Sequence, residues 1–355
     1  MLLRSRTLFF ATVFTLIPFV ASSAEPAGDS VSESVISRVV FGSCIQQDRP
    51  TPIFPVMLSA KPELLLFLGD NIYADTADID VMRAKYDLLA KNNGFQALMS
   101  ACPVMATWDD HDYGLNDGGA SYPERDAAQQ AFLDFWGVPA DSPRRRQAGV
   151  YEAKMFGPPG KRVQVIMLDT RYFRSPLRKG TRQVGGPYLP DDDPEKTMLG
   201  EAQWKWLEQQ LRLPADVRVI ASGIQVVAEA AGQETWSNLP HERKRLFQLI
   251  QSTSAGGAII VSGDRHWAEV SVVSDDVAYP LIDATSSSFN QKHPRGTPTR
   301  NQFRVIEQTY HKENFGVISI DWNGVDPEVT IDIRDMTGTS QIKKAIRLSE
   351  LQPTK

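Results

Sequence analysis

The chain has 355 residues, 42% hydrophobic and 23% charged, a balance that excludes intrinsic disorder and allows a large buried core. Its 38 Lys and Arg against 43 Asp and Glu give a formal charge of −5, and no basic block stands out, which argues against a nucleic-acid-binding patch. Two cysteines are too few for a disulfide scaffold.

At the N-terminus, Arg4 and Arg6 precede an apolar run from Leu8 to about Val20, and small residues Ser22 and Ala24 stand before Glu25. That order predicts a secretory signal peptide over residues 1–24, followed by a single domain over residues 25–355. Pro18 interrupts an apolar run already shorter than the ~20 residues of a bilayer span, so no stable membrane span is expected after cleavage. The expected location is periplasmic or secreted.

Six short apolar runs follow: RVVFGSC (38–44), LLLFLGD (64–70), PVMATWDD (103–110), VQVIMLDT (163–170), VRVIASGIQ (217–225) and AIIVSGDRH (258–266). Their apolar residues are continuous rather than alternating, which predicts strands covered on both faces. Segments 201–211 and 242–251, and more weakly 126–136, have the three- and four-residue apolar steps of amphipathic helices. The runs YPLIDATSS, FGVISIDW and EVTIDIRD are expected to close a second sheet. The predicted fold class is α/β, a two-sheet sandwich flanked by helices.

No disulfide is expected between Cys44, which follows an apolar run, and Cys102, which precedes one. On neighbouring parallel strands they would lie at opposite ends, roughly 20 Å apart at ~3.3 Å per residue, whereas bridged Cα atoms lie within about 7 Å. Cys102 reads as a buried apolar residue.

Nearly every run ends on polar groups: Cys44, Asp70, Asp109 with Asp110 and His111, Asp169, Gln225, and Asp264 with His266. In parallel α/β sheets the carboxyl ends of the strands form one ligand-binding edge. Several carboxylates at one edge repel each other, and cations of high charge remove the conflict. Carboxylates with imidazole, a thiol and a phenol suit a mixed site. Tyr73 lies three residues past Asp70, and a phenol with a pKa near 10 ionises at neutral pH only beside a strong Lewis acid. One iron-like ion and at least one harder divalent ion, sharing Asp70 as a bridge, are therefore expected.

GDNIYAD (69–75) resembles the Gly-Asp-x-x-Tyr motif of purple acid phosphatases, within the calcineurin-like metallophosphoesterases. WDDHDYGLND (108–117) resembles their Gly-Asn-His-Asp element, and SGDRHWAE (262–269) their Gly-His-x-His, with Asp264 at the first histidine. FGSC, Trp-Asp-Asp-His, LDTRYFR and LGEAQWKWLEQQL together resemble the alkaline phosphatase D, or PhoD-like, family over about residues 36–335. The resemblance implies the calcineurin-like metallophosphoesterase architecture. It implies ferric iron on Cys44, Tyr73 and His266, with Asp70 bridging to calcium or another divalent ion on Asp110 and Asp264. It also implies hydrolysis of phosphomonoesters or phosphodiesters by a metal-bridging hydroxide, with His111 beside the ions as the catalytic side chain. Where the family usually carries histidine in its fourth motif, this chain has SGIQV, so Gln225 is a substitute ligand at most.

Asp109, if the strand persists, faces away from Asp110 and reads as a structural hydrogen-bonding group. Asn116, in a Gly-rich loop, and Arg171, nearest a strand end among five basic residues, are the expected substrate contacts. The expected partners are small phosphate esters or phospholipid headgroups. An open cleft would admit a phospholipase D-like diesterase reaction. A noncatalytic metal- or phosphate-binding protein on the same fold is the other class, and the retention of His111 argues against it.

Overall fold

The computed structural model of the protein describes residues 32–183, 185–229, 232–293, 300–307 and 309–353. The signal peptide expected over residues 1–24 lies outside them. No helix among the described residues is long and apolar enough to cross a membrane.

Strands β1 (Arg38–Gly42), β2 (Leu64–Leu68) and β3 (Val104–Thr107) run parallel and side by side. Their side chains alternate between two buried environments. Val39, Phe41, Leu64, Leu66 and Leu68 face the inter-sheet core, whereas Val40, Leu65 and Phe67 face an outer core. Burial on both faces is why these strands read as unbroken apolar runs. The outer core is closed by α1 (Ile53–Ser59), α2 (Ile79–Ala90), α3 (Asn93–Ala101) and, after the single turn α4 (Asp110–Tyr113), by α5 (Arg125–Phe135). Asp78 caps α2, accepting from the backbone N–H groups of Asp80 and Val81, and Asn92 caps α3 through that of Phe95.

The second sheet begins with β4 (Glu152–Phe156) and β5 (Val163–Met167). A small hairpin of β6 (Lys179–Gln183) and β7 (Gly186–Tyr188) leads to α6 (Gly200–Leu211) and β8 (Val217–Ser222). Helix α7 (Pro240–Ser252) then precedes β9 (Ala258–Ser262), β10 (Ala268–Val273) and β11 (Leu281–Ser286). The sheet order is β10-β11-β9-β8-β5-β4, with β11, β9, β8 and β5 parallel. Trp204 and Leu207 of α6 and Leu246 and Ile250 of α7 pack into its core.

The chain ends with β12 (Asn314–Asp321), β13 (Glu328–Asp335) and β14 (Ser340–Arg347). Here the expected assignment needs correcting: β12 and β13 do not close the second sheet. They belong to the first, in the order β14-β13-β12-β1-β2-β3, because β12 pairs antiparallel with β1, Val39 opposite Ile318. Both cysteines are free, and Cys102 is half-buried rather than buried. The strands that Cys44 follows and Cys102 precedes are parallel, as expected, with β2 between them.

Candidate metal centre

The carboxyl ends of β1, β2, β3 and β9 converge. Gly69 makes the approach of β2 and β3 possible: it has φ +100, and a Cβ there would lie 2.4 Å from the Cβ of Asp109. Gly263 does the same on the other sheet, where a Cβ would meet Ser43 Oγ at 2.7 Å. Cys44, Asp70, Asp264 and His266, each just beyond a strand, all have positive φ, between 50 and 69. Left-handed backbone is costly for non-glycine residues and concentrates at functional sites. It turns each of these side chains inward immediately after its strand.

Four groups of side chains result among the described residues, each with ligand atoms within 4.8 Å of one another: Cys44 with Asp70 and His266; Asp70 with Asp110 and His111; Asp109 with Asp110 and Asp264; and Asp110 with Asp117 and Glu234. Asp70 joins the first two groups and Asp110 the last three. In the first, Cys44 Sγ lies 3.4 Å from Asp70 Oδ2, to which the Tyr73 hydroxyl also donates at 3.1 Å. The same hydroxyl lies 2.8 Å from His266 Nε2. The four residues that the sequence placed on an iron-like ion thus surround one point.

Burial and the Asp70 carboxylate push both the Cys44 thiol and the Tyr73 phenol well up. His266 is driven down to about 3 by burial and then by Arg265 and His111, which leaves its imidazole neutral with a lone pair to offer. Asp70 is pushed well up, first by burial, with His111 opposing and Asp110, Asp112 and Asp264 adding to it. Asp110 is held below the ordinary carboxylate range, because Arg171 and His111 outweigh its burial. The buried oxygens Asp70 Oδ1, Asp109 Oδ2 and Asp110 Oδ1 have no hydrogen-bond partner. Buried carboxylate oxygens without donors, beside a thiol, a phenol and a neutral imidazole, fit cations.

Several further residues hold this arrangement. Asp112 accepts the backbone N–H of Asp109 at 2.7 Å and of Asp70 at 3.1 Å through Oδ1, and that of Asn71 at 3.2 Å through Oδ2. One buried carboxylate therefore clamps the ends of β2 and β3 together. His111 packs against Tyr73, ring centroids 4.2 Å apart and planes tilted by 34°, with its Nδ1 2.7 Å from Asp75 Oδ1. Burial works against its charge, but Asp70, Asp110 and Asp75 push its pKa up to about 11. Among the missed residues, the repeated acidic positions of YAD and DDHD were a signal. Glu234, whose carboxylate lies with those of Asp110 and Asp117, carried no such signal, because it reaches the site from a loop.

Asp109 departs from the expectation that it faces away from Asp110. The strand stops at Thr107, so alternation no longer applies, and Asp109 turns back beside Asp110 and Asp264. Arg171 is also corrected. It is fully buried, donating Nε to Asp109 Oδ1 at 2.6 Å and pairing Nη1 with Glu234 Oε2 at 2.7 Å, with no face for a substrate. Arg174 joins the network, 2.8 Å from Glu234 Oε1. Gln225 is fully buried; its Nε2 donates to Glu269 Oε1 at 2.6 Å and Thr285 Oγ1 at 2.9 Å, while its Oε1 has no hydrogen-bond partner. Asp169, another strand-ending acid, accepts the backbone N–H groups of Val150, Arg171 and Tyr172, each at 2.9 Å, and holds a turn.

The ligand candidates open into a cavity of about 340 Å³, lined among others by Asp110, His111, Asn116, Asp264, Arg265 and His266. Asn116 stands in the wall of that cavity. Asp117, also in the wall, donates its backbone N–H to Asp110 Oδ2 at 2.7 Å and accepts from the Tyr188 hydroxyl at 2.6 Å.

The sequence model of one family, PhoD-like phosphatase, matches residues 40–290. No curated protein matches the chain. A solved structure of PhoD, 18% identical, superposes with a TM-score of 0.72 over 93% of this chain and 73% of that one. GAP50, the anchor in the inner membrane complex of Plasmodium, is 13% identical and gives a TM-score of 0.56 over 91% of this chain and 90% of its own.

Proposed function

The chain belongs to the PhoD-like phosphatase family and is a metal-dependent phosphoesterase, and we propose that it is an exported enzyme that hydrolyses small phosphate esters at the strand-end centre. The carrying observation is the linked set of donor groups, with Asp70 shared between a sulfur- and nitrogen-containing cluster and an acidic one.

The proposed ligands of a ferric ion are Cys44, Tyr73 and His266 with Asp70; those of calcium or another divalent ion are Asp70, Asp110 and Asp264, with Asp109 now added. When bound, two such ions supply a water of lowered pKa and neutralise charge on the phosphoryl oxygens. The protein's own residues do the rest. His111, fixed by Asp75 and by the Tyr73 ring against it, stabilises the phosphoryl oxygens or donates a proton to the departing alkoxide. Asn116 is positioned in the cavity wall to bind the ester. Asp112 and Arg171 act through other residues, by fixing the loops and neutralising the acids. Residues 1–24, read as a cleaved signal, and a single catalytic domain from residue 25 onward complete the proposal.

Elemental analysis of purified protein, with rates on nitrophenyl phosphate and bis-nitrophenyl phosphate, tests the reading. Bound metal with turnover of either ester is the expected result. Metal without turnover of any ester would overturn it in favour of a binding protein. N-terminal sequencing of exported protein, expected to begin near Glu25, tests the location.

A further inference from the structure

Arg265 lies between two proposed ligands, Asp264 and His266, and lines the cavity. Among the described residues of that wall it is the one Lys or Arg; the other ionisable groups are carboxylates and imidazoles. Its guanidinium is fixed from two sides. Nη1 donates to Asp264 Oδ2 at 2.8 Å, and the group lies 4.7 Å from the ring centroid of Trp267. Trp267 is itself fully buried and donates Nε1 to Glu269 at 3.1 Å. The buried Nε of Arg265 has no partner, and its side chain is only 11% exposed. A guanidinium held rigid with donors left over is suited to an anion with several oxygens, because little entropy remains to be lost on contact.

We propose that Arg265 contacts a non-bridging oxygen of the substrate phosphoryl group and so sets a preference for phosphomonoesters over phosphodiesters. The inference rests on the phosphoesterase reading above. A monoester offers three unesterified oxygens and up to two negative charges. A diester has one of those oxygens alkylated and carries one charge, so a fixed cation beyond the metal ligands has less to bind.

The test compares the metal-loaded parent, Arg265→Gln and Arg265→Lys. The substrates are nitrophenyl phosphate and bis-nitrophenyl phosphate, and calorimetry measures binding of inorganic phosphate and of dimethyl phosphate. In Arg265→Gln, kcat/KM on the monoester and affinity for inorganic phosphate are expected to fall by about 10- to 100-fold, the range of a charged hydrogen bond. The diester rate and dimethyl phosphate affinity are expected to fall far less, with bound metal unchanged. Arg265→Lys is expected to recover part of the monoester preference. Equal losses on both substrates, or loss of metal, would assign Arg265 to holding Asp264 and overturn the inference. An unchanged ratio would overturn it too. If the parent turned over neither ester, the phosphoesterase reading would fail, while phosphate binding would still report on Arg265 by itself.

Discussion

The two halves of the strand-end centre solve the problem of buried charge differently. Among the described residues, no Lys or Arg forms an ion pair with Cys44, Tyr73 or His266, and both the thiol and the phenol are pushed towards their neutral forms. Around Asp109 and Asp110 the chain provides its own cation, since Arg171 is buried against Asp109 and Glu234. On the reading proposed above, a strongly polarising ion would ionise the donors of the first half. The second is partly neutralised before any ion binds.

The largest expected effect comes from the one residue common to both arrangements. Asp70→Asn removes the shared charge and is expected to lower kcat/KM on nitrophenyl phosphate by about 1,000-fold or more. Residual activity within about 10-fold of the parent would break the idea of a shared carboxylate.

Next is Arg171→Ala, which leaves Asp109 and Glu234 buried without their cation. Loss of one partner from a buried ion pair costs about 3–5 kcal/mol, to be read from denaturant unfolding. Only a small change would show that the second half is not neutralised from within.

The halves separate in metal affinity. Cys44→Ser is expected to weaken binding of the iron-like ion by about 100-fold while sparing the divalent one, and Asp264→Asn the reverse. Elemental analysis during chelator competition distinguishes them. Parallel loss of both metals from either variant would merge the two halves into one site.

The smallest effect is a pH dependence of chelator-treated protein. Asp70, Asp109 and Asp264 are pushed up chiefly by burial, and burial raises Asp112 and Glu234 to about 7. Groups whose folded pKa is raised are neutral in both states at low pH, and ionising them costs stability as pH rises. Treated protein is therefore expected to lose stability between about pH 4 and 7, by on the order of 1–3 kcal/mol. Asp110, shifted the other way, opposes part of this. Metal-loaded protein should lack the slope; thermal unfolding across that window measures it.

The expected strands were legible because parallel strands buried on both faces must be apolar throughout, as Val39 to Phe41 and Leu64 to Leu68 are. Strand β14 was not, since only Ile342 and Ile346 of its eight residues are buried. The ligand candidates Cys44, Asp70, Tyr73, Asp110, Asp264 and His266 were readable because each ends or follows such a run. Arg171 misled because a basic residue near a strand end looks the same in sequence whether its guanidinium faces solvent or two buried acids. For Asp109 the condition that the strand persists fails at Thr107, while its bond to Arg171 matches the hydrogen-bonding role read for it.

The sequence by itself determined the layered α/β plan and the kinds of donor at the strand ends, since both follow from local apolar continuity and from the residue that stops each run. Only the tertiary structure decided which donors lie together, which arginine is buried and which lines the cavity, and which sheet receives the last strands. Those outcomes depend on left-handed turns, close glycine contacts and pairings between segments far apart in the chain, where local pattern has no reach.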